Sequence, residues 1–196
     1  MSNVEERGVW FRDADDSRSP PRRIGSIAEP DPYPGGMTYR ITAVCLGNIC
    51  RSPMAEAVLR VKVAEAGLAA VVDSAGTAGW HEGHDADSRA LRTLHRYGYP
   101  LSHGARQFQR QWFGSTDLVL AMDQSNYVDL RRLAHGLANA PARIHLLRSF
   151  DPNADTLDVP DPFYGGEEGF EDVLRMIEAA ADGVIAHVAN DLAKRP

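Results

Sequence analysis

An α/β fold with a parallel sheet is predicted from Tyr39 onward, and two observations predict it. Short apolar segments alternate with longer stretches whose apolar residues recur at helical spacing, the pattern of strands joined by crossover helices. A Gly-Asn loop then joins the first apolar segment directly to a helix start, at the carboxyl end of a strand, where open α/β sheets bind ligands.

The elements follow in order. Strands are expected at Tyr39 to Leu46, Ala70 to Ser74, Leu118 to Ala121 and Arg143 to Leu146. Helices are expected near Pro53 to Ala66, Asp87 to Tyr97, Arg106 to Phe113 and Ser125 to Ala134. The last, Gly169 to Ala193, places Phe170, Val173, Leu174, Ile177, Ala181, Val184 and Val188 on one face. A continuous apolar face of that kind is core. Residues 1–36 differ: Pro20, Pro21, Pro30, Pro32 and Pro34 punctuate mixed charges with too few apolar residues for a core. They are expected to be a disordered extension, leaving a domain over 37–196. Met37, after Gly35 and Gly36, is the expected start of translation; the alternative is a short recognition tail anchored by Val9, Trp10 and Phe11.

The chemistry concentrates in Cys45-Leu46-Gly47-Asn48-Ile49-Cys50-Arg51-Ser52. Phosphoryl transfer to sulfur needs a thiolate, donors around the equatorial oxygens and a cation to gather charge. Cys45 faces a helix N-terminus and a guanidinium, and both favour the nucleophilic thiolate. The loop Leu46 to Arg51 can curl its N–H groups inward as an anion nest, with Gly47 and Asn48 tolerating left-handed backbone. Arg51 can bond two equatorial oxygens at once. Ser52 and Pro53 read as N-cap and first helical residue. An arginine six residues after a cysteine arises by chance about one time in twenty, so the spacing alone is weak; the strand, loop and helix start around it give it meaning.

This run, with Pro53-Met54-Ala55-Glu56, resembles the low-molecular-weight protein tyrosine phosphatase family. So do, in that family's order, Asp73 to Thr77 with Trp80, Ser102-His103 with Ala105 to Gln107, Ala121 to Asn126, and Asp161 to Gly165. The resemblance covers about Thr38 to the C-terminus and implies a single three-layer domain with a four-stranded sheet in the order 2-1-3-4.

It also implies roles. Asp161 is the general acid for the departing phenol and then the base for water, with Asp158 its rival in the same loop. Asn48, Ser74 and His103 hold the phosphate loop in shape. Trp80, Phe163 and Tyr164 wall a cleft for a phosphotyrosyl ring. Resembling protein arginine phosphatases usually carry threonine where this chain has Ile49, which leans it toward tyrosine. Ser52 can also donate to sulfur as the thiolate leaves the phosphoenzyme. Cys50 is expected as the redox partner of Cys45, because a curled loop can bring the two sulfurs together.

The remaining features narrow the field. A chain of 196 residues with 43% hydrophobic content suffices for one cored domain. A net charge of -6 without a long basic stretch argues against nucleic acid. No eighteen-residue apolar run, signal peptide or twin-arginine signal is present, so no membrane association is expected. Two cysteines, both in the loop, suit a reducing, cytoplasmic compartment. His81-Glu82-Gly83-His84 has the wrong spacing for a zinc helix, and Asp151, Asn153 and Asp155 lack the glycine and glutamate of a calcium loop. No metal or cofactor is expected, and no Walker A sequence supports nucleotide hydrolysis. The expected partners are tyrosine-phosphorylated proteins, and the expected state is a monomer. An arsenate reductase of the same fold would draw cysteines from outside the loop, and this chain has none.

Overall fold

Strand β1 (Tyr39–Cys45) runs through the middle of a parallel sheet whose strand order is β2-β1-β3-β4. The computed structural model describes residues 38–195; the expectations for residues 1–36 lie outside the described residues. Strand β2 spans Ala70–Gly76, β3 Leu118–Ala121 and β4 Ile144–Leu146. Between and after them lie helices α1 (Arg51–Glu65), α2 (Ser88–Arg96), α3 (Gln124–Leu133) and α4 (Glu167–Ala193).

The period of two along each strand divides the core into two layers. Ile41, Ala43 and Cys45 of β1, with Leu118 and Leu120 of β3, face one cluster containing Met54, Val58 and Leu59 of α1 and the apolar face of α4. Val44, Val119 and Ala121 face the other, with Phe108, Phe113 and Leu130 of α3. All seven residues expected on the α4 face are at most 1% exposed. Burying its six larger side chains contributes on the order of 10 kcal/mol of gross hydrophobic stabilisation.

One expected helix is absent. From Arg106 to Gln109 the chain is extended, and only Arg110–Gly114 turns, as a short 3-10 segment. The backbone there has other obligations: the Arg106 carbonyl accepts from Gly76 N at 2.9 Å, and Phe108 N donates to the Gly76 carbonyl at 2.8 Å. These bonds replace the helical ladder and tie the segment to the carboxyl end of β2.

Helix α1 begins two residues earlier than expected. Its N-cap is Cys50, and Pro53 is its third residue. Helices α2 and α3 are capped by Asp87, which accepts from Arg89 N at 2.8 Å, and by Asp123, which accepts from Asn126 N at 2.7 Å.

Candidate active site

Cys45 is the last residue of β1, and the loop Leu46 to Cys50 leads straight into α1. The sulfur is buried at the N-terminal end of that fifteen-residue helix, where the macrodipole favours an anion. Asn48 N–H donates to Cys45 Sγ at 3.2 Å. Ser52 is no cap: its hydroxyl lies 3.1 Å from Cys45 Sγ and 3.1 Å from the Ala75 carbonyl, and it accepts from Asn48 Nδ2 at 2.9 Å. One hydroxyl proton therefore has two acceptors to choose between, sulfur and carbonyl.

Asn48 alone among the described loop residues takes the left-handed backbone, at φ 56°. Its side chain is saturated with partners. Nδ2 donates to Ser52 Oγ and, at 2.8 Å, to Ser74 Oγ; Oδ1 accepts from Arg106 N at 2.9 Å. Its carbonyl meets His103 Nε2 at 2.7 Å. A conformation that costs a non-glycine residue roughly 1–3 kcal/mol is fixed here by four bonds.

Ser74 passes the network to Glu56, donating to its Oε2 at 2.5 Å. Glu56 is buried, paired through Oε1 with Arg60 at 2.7 Å, and its Oε2 lies 3.9 Å from His103 Nδ1. Sequence reasoning missed Glu56 as a site residue. Its signal was a lone acid in the otherwise apolar run Met54 to Leu59.

Gly47 keeps an ordinary φ, contrary to the left-handed expectation. Space explains the glycine: a Cβ would stand 3.0 Å from His81 Cδ2, so the imidazole packs directly on the loop. Gly76 is constrained more severely, since a Cβ there would meet the Leu46 carbonyl at 2.6 Å and Asn48 N at 3.1 Å. The end of β2 is thus the floor on which the loop rests, and Thr77 N and Ala78 N donate to the carbonyls of Cys45 and Leu46.

Arg51 closes the loop at 3% side-chain exposure. Its Nη1 donates to Asp123 Oδ2 at 2.5 Å and to the Val159 carbonyl at 3.2 Å, and its Nη2 donates to Asp161 Oδ2 at 2.6 Å. Its Nε–H is buried and has no protein acceptor among the described residues. Burial pulls the guanidinium's pKa down, but Cys45, Asp161 and Asp123 outweigh it and raise it. Asp123, absent from the sequence-based site, does double duty as cap of α3 and anchor of Arg51; an aspartate just past the carboxyl end of β3 was the available signal. Asp158 instead accepts from Gln124 N at 2.8 Å, at the start of α3. Of the two rival acids, Asp161 is the one on the arginine.

Phe163 and Tyr164 follow Asp161 in an exposed loop, edge to face with ring centroids 5.1 Å apart; Trp80 is also exposed. Ile49 packs partly buried against the main core. Cys50 is buried, and its thiol is pushed up to about 12 by burial, reinforced by Asp87 and Cys45. Among the described residues no cluster of three or more His, Cys, Asp or Glu side chains could hold a metal ion. No helix among them is long and apolar enough to cross a membrane.

A buried cysteine and arginine bracket a helix-opening loop on a four-stranded parallel sheet, an arrangement with the chemistry of a thiol-based oxyanion site. Comparison with known proteins specifies it further. The sequence model of the low molecular weight phosphotyrosine protein phosphatases matches residues 40–194. A low molecular weight protein-tyrosine-phosphatase of Streptomyces coelicolor is 54% identical over 163 residues, covering 81% of this chain and 99% of that protein. Among solved structures, a protein tyrosine phosphatase from Entamoeba histolytica aligns with a TM-score of 0.74 at 35% identity, covering 78% of this chain and 98% of its own. A Drosophila arginine phosphatase aligns at 0.71 and 33% identity, covering 75% and 96%. The chain belongs to the low molecular weight phosphotyrosine protein phosphatase family and is an enzyme of that class.

Proposed function

We propose that this enzyme hydrolyses phosphotyrosine in proteins through a phosphocysteine intermediate. The observation that carries the reading is the placement of Arg51, which reaches from the sulfur loop to Asp161, 110 residues away, at 2.6 Å. One guanidinium thus organises nucleophile, phosphate and acid.

In the first step the Cys45 thiolate attacks phosphorus while the phosphate oxygens take N–H donors from the loop and the remaining donors of Arg51. The phosphorus–oxygen bond breaks, and protonated Asp161 gives its proton to the phenolic oxygen, releasing tyrosine. In the second, water attacks the phosphocysteine, its proton goes to the Asp161 carboxylate, and inorganic phosphate leaves as the sulfur recovers its electron pair. Ser52 supports that departure, its proton turning from the Ala75 carbonyl to the sulfur as negative charge returns. The side chains of Asn48, Ser74, His103 and Glu56 keep the loop in its strained shape. Trp80, Phe163 and Tyr164 receive the aromatic ring, their exposure in keeping with a cleft and not a core.

A second reading, protein arginine phosphatase, has specific support in the Drosophila neighbour. Ile49 favours tyrosine: its apolar side chain offers nothing to a guanidinium and suits a phenyl ring. Tyrosine-phosphorylated proteins are the substrates under this reading, met as a cytoplasmic monomer without cofactor, nucleic acid or membrane. The deciding experiment compares kcat/KM on phosphotyrosine and phosphoarginine peptides for the unaltered chain, Cys45→Ser and Asp161→Asn. Preference for phosphotyrosine, abolished in Cys45→Ser and lowered about 10²- to 10⁴-fold in Asp161→Asn, supports it. Preference for phosphoarginine, or turnover by Cys45→Ser, refutes it.

A further inference from the structure

The loop carrying Asp161 depends on a residue outside the site described so far. Among the described residues, the main chain from Pro160 to Gly165 makes two hydrogen bonds to the remainder of the protein, and the Arg89 side chain makes both. Its Nη1 donates to the Gly165 carbonyl and its Nη2 to the Phe163 carbonyl, each at 2.9 Å. Apart from Pro162, which is buried, this segment is exposed.

Arg89 is itself held from two sides. Its Cζ lies 4.7 Å from the Phe170 ring centroid and 5.8 Å from that of Phe163, so the guanidinium packs against both rings. Its Nε and Nη2 bond Asp87 Oδ1 and Oδ2 at 3.0 and 2.7 Å. Asp87, in turn, donates its backbone N–H to the Ile49 carbonyl at 2.7 Å. A continuous path therefore runs from the phosphate loop at Ile49, through Asp87 and Arg89, to the carbonyls on either side of Tyr164. A fork with donors on both edges is needed to span it; an ammonium offers a single point of attachment.

We infer that Arg89 is a positioning residue for the acid loop, holding Asp161 at working height over the phosphate loop and linking the two loops through Asp87. This rests on the reading of Asp161 as general acid. The chemical consequence is selective. Misplacing the acid slows cleavage of a poor leaving group and leaves a good one nearly untouched, whereas damage to the phosphate loop slows both.

The test measures kcat/KM, which reports the bond-breaking step, on phenyl phosphate and 2,4-dinitrophenyl phosphate for the unaltered chain, Asp161→Asn, Arg89→Ala and Arg89→Lys. Asp161→Asn should lose far more on the phenyl ester than on the dinitrophenyl ester. Arg89→Ala should show the same asymmetry at smaller amplitude, about 10-fold on phenyl phosphate and under about 3-fold on the dinitrophenyl ester. Arg89→Lys should show the asymmetry too, and it carries the test if the alanine variant does not fold. Equal losses on both esters, or unaltered rates in either folded Arg89 variant while Asp161→Asn is asymmetric, would overturn the positioning role. A symmetric loss in Asp161→Asn would instead remove the acid assignment, and the inference with it.

Discussion

Arg51 holds Asp161 and Asp123 at hydrogen-bonding distance, so under the proposed function a phosphate dianion entering the loop would compete with Asp161 for the same guanidinium. Replacing Asp161 with asparagine keeps the shape and removes the competing charge. The pair is only partly enclosed, with the aspartate side chain 41% exposed, so solvent screens it and its contribution lies near the upper range for open pairs, about 0.5–1 kcal/mol. That corresponds to an inhibition constant for inorganic phosphate about 2- to 5-fold lower in Asp161→Asn. Turnover of phenyl phosphate should move the other way, falling about 10²- to 10⁴-fold in kcat/KM. Competitive inhibition at pH 7, checked by calorimetry, gives the first quantity and steady-state kinetics the second. Raising the salt concentration should shrink the binding difference. Phosphate binding that is unchanged or weaker in Asp161→Asn would show that the carboxylate does not compete for Arg51.

Gly76→Ala forces a Cβ against the Leu46 carbonyl; it should lower stability by about 1–3 kcal/mol in denaturant melts and raise the phosphate inhibition constant, whereas native affinity would mean that the loop does not rest on β2. Glu56→Ala strands Ser74 and Arg60 and should cost on the order of 2–4 kcal/mol; a loss below about 0.5 kcal/mol in the same melts would show that the buried carboxylate does not hold the loop. Ser52→Ala should slow decay of the phosphoenzyme more than its formation, seen as a larger pre-steady-state burst; equal slowing of both steps would assign Ser52 to structure. Cys50, with its thiol pushed up to about 12, must deprotonate before it can attack an oxidised Cys45, so disulfide closure after peroxide should accelerate about tenfold per pH unit from 7 toward that value. A rate independent of pH would remove Cys50 as the attacking thiol.

Periodicity made the sheet and α4 legible, because a strand buried on both faces and a helix with one apolar face leave unambiguous patterns. The same reasoning placed a helix over Arg106 to Phe113, where the backbone instead serves Gly76 and Asn48. A demand that arises only when distant segments meet leaves no local trace. Within the site, Cys45 and Arg51 could be read directly, since chemistry requires both residue types in one loop. Glu56, Asp123 and Arg89 could not: each acts on a partner 18 to 74 positions away, and on the sequence each looks like an ordinary helical or capping charge. Ser52 divides its two expected roles: it is not the cap that its position suggested, while its hydroxyl lies 3.1 Å from the sulfur, as the role toward the leaving thiolate requires.

The central claim is that phosphate passes through the Cys45 sulfur, and rapid acid quench tests it most directly. Mixing the enzyme with phosphotyrosine peptide and mapping phosphate by peptide mass spectrometry should place an acid-stable phosphoryl group on Cys45, absent from Cys45→Ser and accumulating in Ser52→Ala. Turnover without any phosphoenzyme, or with the phosphoryl group on a residue other than Cys45, would contradict the account.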